Sequence, residues 1–232
     1  MFCPIRQKKE AATGKRMFLT AAPHTPSACI TDAANPPSPH PSFELCPPGH
    51  PARAGIESFV SAIYARRFGA QVRAFAPMLV GLNEHRTLLA AAGYRGAGSE
   101  RLYLERYLDE PIEAVLSNHT GAPVGRDQIV EVGHLAASRG GEGLRLIRLL
   151  AAHLAREGFE WVACTVTREL RPALERLDAQ PLALGPALPG RLGHEAGLWG
   201  SYYDHGPEVV AVALKAALRR YARQHRGTRG LP

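Results

Sequence analysis

The chain has 232 residues, of which 45% are hydrophobic and 21% charged, and a formal net charge of +7. That length and balance specify one globular domain with tails, large enough for a core that needs no disulfide or metal staple. Its apolar runs all fall short of the roughly 18–20 residues a membrane-crossing helix needs. Residues 1–16 carry +4 and residues 215–232 carry +6, which leaves −3 for the middle. The basicity therefore belongs to the two ends, and with little aromatic residue interleaved no nucleic-acid partner is expected. The four cysteines, Cys3, Cys29, Cys46 and Cys164, form no CxxC pair and no zinc-type spacing, so no metal is expected and the usage fits a reducing cytoplasm.

In chain order, Lys8, Lys9, Lys15 and Arg16 precede the short apolar stretch MFLTAA, which stops before Pro23. The stretch is too brief for a secretory signal, and a cytoplasmic location is expected. Met17 is an alternative start. Residues 1–54 read as a disordered lead, because 21–54 are dense in Pro, Ser, His and Ala without a periodic apolar face. The folded domain is expected over 55–224 and a basic tail over 225–232. Ile56, Phe59, Val60, Ile63 and Tyr64 fall at helical spacing, and Gly69 is placed to end that helix.

A β-meander follows: FAPMLVGL (75–82), a polar turn at 83–85, and a return strand over 87–94. RLYLERY (101–107) alternates in the manner of a strand. Asp109 and Pro111 open a helix through Ser117. Ile129–Ala136 is an apolar strand, followed by a helix with Leu144, Ile147, Leu150, Ala151 and Leu154 on one face. Trp161–Val166 is a strand, Arg168–Leu177 a short helix, Pro181–Leu184 a strand, and 185–206 a Gly- and Pro-rich loop. Pro207 opens a last amphipathic helix to about Arg223. Antiparallel strands followed by βα units specify an α+β fold, a mixed sheet flanked by helices.

The strand, glycine turn and helix of 129–150 carry the chemistry. The first N–H groups of a helix lack internal partners and favour an anion. Ser138, Arg139, Gly140, Gly141 and Gly143 form the candidate cradle, although a tight strand-to-helix turn also needs glycine. Glu131 is a carboxylate midway along an apolar strand, which is costly unless it is paired or used. It is read as a general base, or else as the buried partner of Arg95 or Arg126. His134 has a side chain suited to proton transfer near neutrality. Strict alternation puts it on the face opposite Glu131, unless the strand bulges at Gly133. Tyr202, following Trp199, is either core packing or a proton donor. Cys164 reads as a buried, inert thiol.

The order of elements resembles the GNAT acyl-CoA N-acyltransferase fold, with a central, mostly antiparallel sheet flanked by helices. Its turn pattern Q/R-x-x-G-x-G/A aligns with Ser138–Gly143, with Ser138 in place of Gln or Arg. A closer resemblance covers about residues 56–222. The blocks FAPMLVGL, AAAGYRGA, LYLERYLDEPIEAVL, IVEVGHLAASRGG, WVACTVTRELRPALERL and LWGSYYDHGPEVVAVAL are similar to the thermostable hemolysin family. That family resembles acyl-homoserine-lactone synthases at a distance, and its E-V-G-N-L-A block has His134 here in place of Asn.

The resemblance implies an acyltransferase that takes an acyl-CoA or acyl-carrier-protein thioester and a small amine acceptor, without a metal. It implies that the donor's pantetheine arm lies along the strand at Val132 and Leu135, with its phosphates on the 138–143 turn. Glu131, His134 and Tyr202 are the implied catalytic residues. An acidic acyl carrier protein is an implied partner, and the basic ends suit it. The alternative reading is a membrane-active hemolysin-like protein without catalysis, whose lytic surface would be the helix 207–223.

Overall fold

The structure is a computed structural model and describes residues 41–226. Seven strands form one sheet in the order β1-β2-β3-β4-β5-β7-β6. They are β1 Ser42–Cys46, β2 Met78–Glu84, β3 Thr87–Gly96, β4 Ile129–Ala137, β5 Trp161–Val166, β6 Leu182–Pro186 and β7 Glu208–Ala213. Every neighbouring pair is antiparallel except β4 and β5. That parallel pair is joined by the helix α3, the crossover that parallel strands require.

The helices are α1 Arg53–Phe68, α2 Ile112–Thr120, α3 Glu142–Arg156, α4 Arg171–Arg176 and α5 Leu214–Arg226. α1 ends at Gly69 with φ 66°, a left-handed cap that glycine adopts without strain. α3 buries Leu146, Leu150, His153 and Leu154 and turns Arg145 and Arg148 to solvent, the 3.6-residue pattern of a helix lying on a sheet. One face of the sheet packs Val80, Leu82, Val130 and Val132 against α3 and α5. The other packs Leu79, Ala91 and Ala136 against α1, and Ile129 and Ala163 against the segments 102–116 and 187–211.

Four segments depart from the sequence reading. Residues 42–46, inside the stretch read as a disordered lead, form β1, because Phe43 and Leu45 pack with the α3 cluster and Cys46 is buried beside α1. Tyr103–Tyr107 is a 3-10 turn and not a strand. Its alternation is coincidental, since Leu104, Glu105 and Tyr107 are all buried and so fit no two-sided ribbon. Residues 207–213 are not helical: Glu208–Ala213 is the strand β7, between β5 and β6, and its β-branched valines suit that place. The last helix is therefore only α5. Pro189–His205, read as loop, is a run of 3-10 turns interrupted at Gly193 (φ 58°) and Gly200 (φ 52°). At Gly200 a side chain would strike the Phe68 carbonyl, so the turn closes directly on the end of α1.

Candidate functional site

The parallel pair splits. Its register runs Ile129↔Trp161, Val130↔Val162 and Glu131↔Ala163 and then stops, although β4 continues to Ala137 and β5 to Val166. From Val132 onward the peptide groups of β4 have no strand partner on that side. Backbone N–H and C=O groups demand partners, so an open strand edge inside a cleft invites an extended ligand. The gap opens onto a cavity of about 640 Å³ that residues of both strands line. One wall comes from α3, α4 and α5 and the other from α1, the 3-10 turns and the 71–76 segment. The cavity touches Glu131, Val132, Gly133, His134 and Leu135 and, in the turn, Ser138–Gly141 and Gly143.

Glu131 sits where the strands part. Its carboxylate accepts hydrogen bonds from the Tyr103 N–H at 2.7 Å and the Leu104 N–H at 3.1 Å, and Arg95 Nε lies 3.5 Å away. Burial pushes its carboxyl up, opposed by the Tyr103 N–H, the charge on Arg95 and the Leu104 N–H. A carboxylate offers about four lone-pair sites, so these three contacts leave room for a further donor. Arg95 faces it directly across β3 and β4. Of the two alternative partners, Arg126 is engaged elsewhere, on Glu105 and Glu113.

Glu105 carried no signal that set it apart in the sequence. Its carboxylate accepts from Leu102 N–H at 2.8 Å, Ile112 N–H at 3.0 Å and the Arg126 guanidinium at 2.7 and 2.9 Å. Burial works to raise the Glu105 carboxyl, but the Arg126 hydrogen bonds and the two backbone N–H groups outweigh it and hold it down at about 2. The Tyr103–Tyr107 turn is thus gripped by two carboxylates. Glu105 fixes it to the fold, and its leading N–H groups fix Glu131. The only hint in the sequence is an acid three residues after the turn's first cap, half of a capping box.

His134 reaches the Glu131 face because β4 bulges. Gly93 pairs with Gly133 and Ala91 with Ala136, so Ala92 opposes both His134 and Leu135. His134 has φ 55°, a left-handed conformation to which Asn and His are better suited than most residues. The extra residue shifts the alternation: Leu135 and Ala137 pack toward α3, while Ala136 packs toward α1. The imidazole lies 5.3 Å from the Phe75 ring, and its Nε2–H donates to Ala74 O at 3.1 Å. That bond makes Nδ1 the bare nitrogen, and Nδ1 is enclosed without a partner among the described residues. Gly93 lies beneath it; a Cβ there would come within 3.2 Å of Nδ1.

Burial pulls the His134 pKa down to about 4 from 6.5, against the Ala74 bond and with help from Arg95 and Arg53. The fold therefore favours the neutral ring. The stabilisation is present above about pH 6.5 and is lost as pH falls toward 4, for a total of up to about 3 kcal/mol. His134→Asn, which keeps a residue at home at positive φ, is expected to abolish this loss. Urea melts between pH 4 and 7 check it, and parallel curves for the two proteins would contradict it.

The glycine turn is open. A Cβ at Gly133, Gly140 or Gly141 would meet nothing within 4 Å. Gly141, at φ 96°, starts α3, whose first N–H groups lack partners inside the helix. Ser138 is placed differently from Arg139: its N–H and hydroxyl both go to Leu89 O, at 2.8 and 3.0 Å. It ties β4 to β3, while Arg139 is exposed at the cavity wall.

Tyr202 lies across the cleft in an aromatic wall. Its ring contacts Phe68 at 5.2 Å, Trp199 at 5.3 Å and Tyr203 at 5.5 Å. Burial, with Tyr64, Tyr203 and Cys164 nearby, raises its hydroxyl well above the ordinary 10, so it keeps its proton. Cys164 also lines the cavity, and burial pushes its thiol to about 12, consistent with an inert group.

A family model described as thermostable hemolysin matches residues 46–218. No curated protein matches the sequence. Among solved structures, an N-acyl amino acid synthase from uncultured soil microbes is similar with a TM-score of 0.54 at 12% identity, over 78% of this chain and 94% of that one. An AHL synthase gives 0.52 at 12%, over 76% and 91%. A CoA-dependent acyl-homoserine lactone synthase solved with SAM and isopentyl-CoA gives 0.51 at 12%, over 79% and 90%. At such identities the likeness is one of fold, and that fold is GNAT-like.

Proposed function

The chain belongs to the thermostable hemolysin family, and on that premise we propose that it transfers an acyl group from a thioester to an amine. The observation that carries this reading is the split between β4 and β5 after Glu131↔Ala163, which opens the cavity beside an unpaired strand edge. The pantetheine arm of a CoA or carrier-protein thioester has amides that pair with the β4 edge at Val132 and Leu135. Its phosphate lies on the backbone of Gly140–Gly143 and the start of α3, with Arg139 beside it. Ser138 contributes through the β3 tie and not through the phosphate.

Glu131 takes a proton from the acceptor's ammonium group and passes it to solvent. The neutral amine nitrogen then bonds to the thioester carbon, and collapse of the tetrahedral intermediate breaks the carbon–sulfur bond. Nitrogen loses its second proton as sulfur gains one, so amide, thiol and one proton are released. Tyr202, still protonated, donates a hydrogen bond to the departing sulfur. His134 acts as a positioning residue: its ring, fixed on Ala74, holds the bulge that aims β4 into the cleft.

Support also comes from the similar folds, which belong to an N-acyl amino acid synthase and acyl-homoserine lactone synthases. The lytic alternative has little surface to use. Among the described residues no helix is long and apolar enough to cross a membrane. α5 packs Leu214, Leu218 and Ala217 into the core, and among the described residues the exposed large hydrophobic ones are Leu149 and Leu188.

Thermal melts with decanoyl-CoA, CoA and decanoyl carrier protein test the reading. A ligand at 100 times its Kd adds about 2.7 kcal/mol, which for a domain of this size raises the melting point by several degrees. At least one of the three is expected to do so. No shift with any of them would overturn the proposal.

A further inference from the structure

The acceptor's chemistry is written in the groups around Glu131. Arg95 and Glu131 stand side by side on β3 and β4, with side chains only 16% and 12% exposed, and both line the cavity. Their separation, 3.5 Å from Nε to Oε2, makes them neighbours without a tight clasp. Arg95 Nη1 also lies 3.5 Å from the Glu100 carboxylate. A guanidinium has a planar fork of N–H donors suited to a carboxylate, and here that fork is held only loosely. Other cations of the wall are committed nearby: Arg67 lies over the Phe68 ring, and Arg73 bonds to Gln71.

A buried anion and a buried cation at this spacing complement a zwitterion whose amine and carboxylate sit on one carbon. The amine meets the spare lone pair of Glu131, and the carboxylate meets the fork of Arg95. Beyond them lies the aromatic wall of Tyr64, Phe68, Tyr103, Trp199 and Tyr202. Its rings touch one another edge-on or tilted, with centroids 5.2–6.3 Å apart. Such a wall takes an apolar or aromatic group.

We propose that the acceptor is an α-amino acid with an aromatic or large aliphatic side chain, its carboxylate held by Arg95 and its amine by Glu131. The inference rests on the acyltransferase reading and names that reaction's second substrate. Arg95 is then the residue that separates amino acids from plain amines. A site built for a polar group rejects analogues that lack it, because its own buried group is left without a partner.

Calorimetry on the full chain, with and without CoA, tests this with L-phenylalanine, L-tyrosine and L-leucine, each against its decarboxylated amine. Wild type is expected to bind at least one amino acid about tenfold or more tightly than its amine. Arg95→Gln is expected to bring that ratio to within about threefold, and Arg95→Lys to leave it between. A purely structural Arg95 would weaken both ligands alike and leave the ratio unchanged. If Arg95→Gln does not fold, the wild-type ratios and Arg95→Lys decide the matter. Equal binding of every amino acid and its amine, or a ratio that survives Arg95→Gln, overturns the proposal. The two readings fail differently. Thioester-driven acylation of phenethylamine as fast as of L-phenylalanine removes the amino acid and keeps the transferase. Amino acid preference with no thioester binding or consumption removes the transferase and keeps the site.

Discussion

Glu131→Gln is expected to lower acyl transfer by about 10²–10⁴-fold, the usual worth of a positioned general base. Gln keeps the shape, but its single oxygen accepts only one of the Tyr103 and Leu104 N–H groups, so some stability is lost while the β4 edge that takes the thioester is left in place. The loss therefore falls on kcat and not on the donor's KM. The pH profile supplies a second readout. A base must be deprotonated, so activity falls as pH drops through the pKa of Glu131. Burial holds that pKa above the ordinary carboxylate value of 4.5, so the wild-type acid limb should lie above it as well. Steady-state rates from pH 4 to 9 check this. A variant with full activity and an unchanged limb would remove Glu131 from the chemistry.

Glu105→Gln is expected to be the most destabilising conservative substitution in the cleft's framework. Only 4% of Glu105 is exposed, yet it satisfies two backbone N–H groups and a guanidinium. An amide cannot serve all three, because its NH₂ group must face a donor. Breaking a buried pair from one side costs about 3–5 kcal/mol, or roughly 6–20 °C in melting point at this size. The wild-type contribution is also pH-dependent. A carboxyl held at about 2 against an ordinary 4.5 stabilises fully above about pH 4.5, and this is lost as pH falls toward 2. Melts of the two proteins should therefore converge in strong acid. A loss under about 1 kcal/mol at pH 7 would show that Arg126 and the turn find other partners.

The parts of the fold that local pattern dictates were legible in the sequence. α3 shows its apolar stripe, Gly69 its cap, and β4 its apolar run before the glycines. β7 was not, because Pro207 and the unbroken apolar run of 209–213 continue into a true helix at Leu214 without a break signal. The 3-10 turn at Tyr103–Tyr107 was hidden because it is held by Glu131 and, through its own Glu105, by Arg126, contacts distant in sequence. β1 was masked by its proline-rich surroundings.

At the site, Glu131 stood out as a carboxylate in an apolar strand, and its neighbour Arg95 was one of the partners the sequence offered. The face of His134 could not be read, since one left-handed residue reverses the alternation after it. The cradle role of Ser138 rested on its place in a motif, whereas the structure commits its N–H and hydroxyl to Leu89. The aromatic wall is drawn from α1, the Tyr103 turn and the 189–205 segment, so no local window displays it.

The most direct test of the account is product formation. The protein is incubated with decanoyl-CoA or decanoyl carrier protein and a mixture of amino acids and amines, and thiol release is followed alongside mass spectrometry. The account predicts thiol release that depends on an acceptor, one N-decanoyl product of matching mass, and loss of both with Glu131→Gln. Thiol release that ignores the acceptor, or no thioester consumed while liposomes leak, would contradict it.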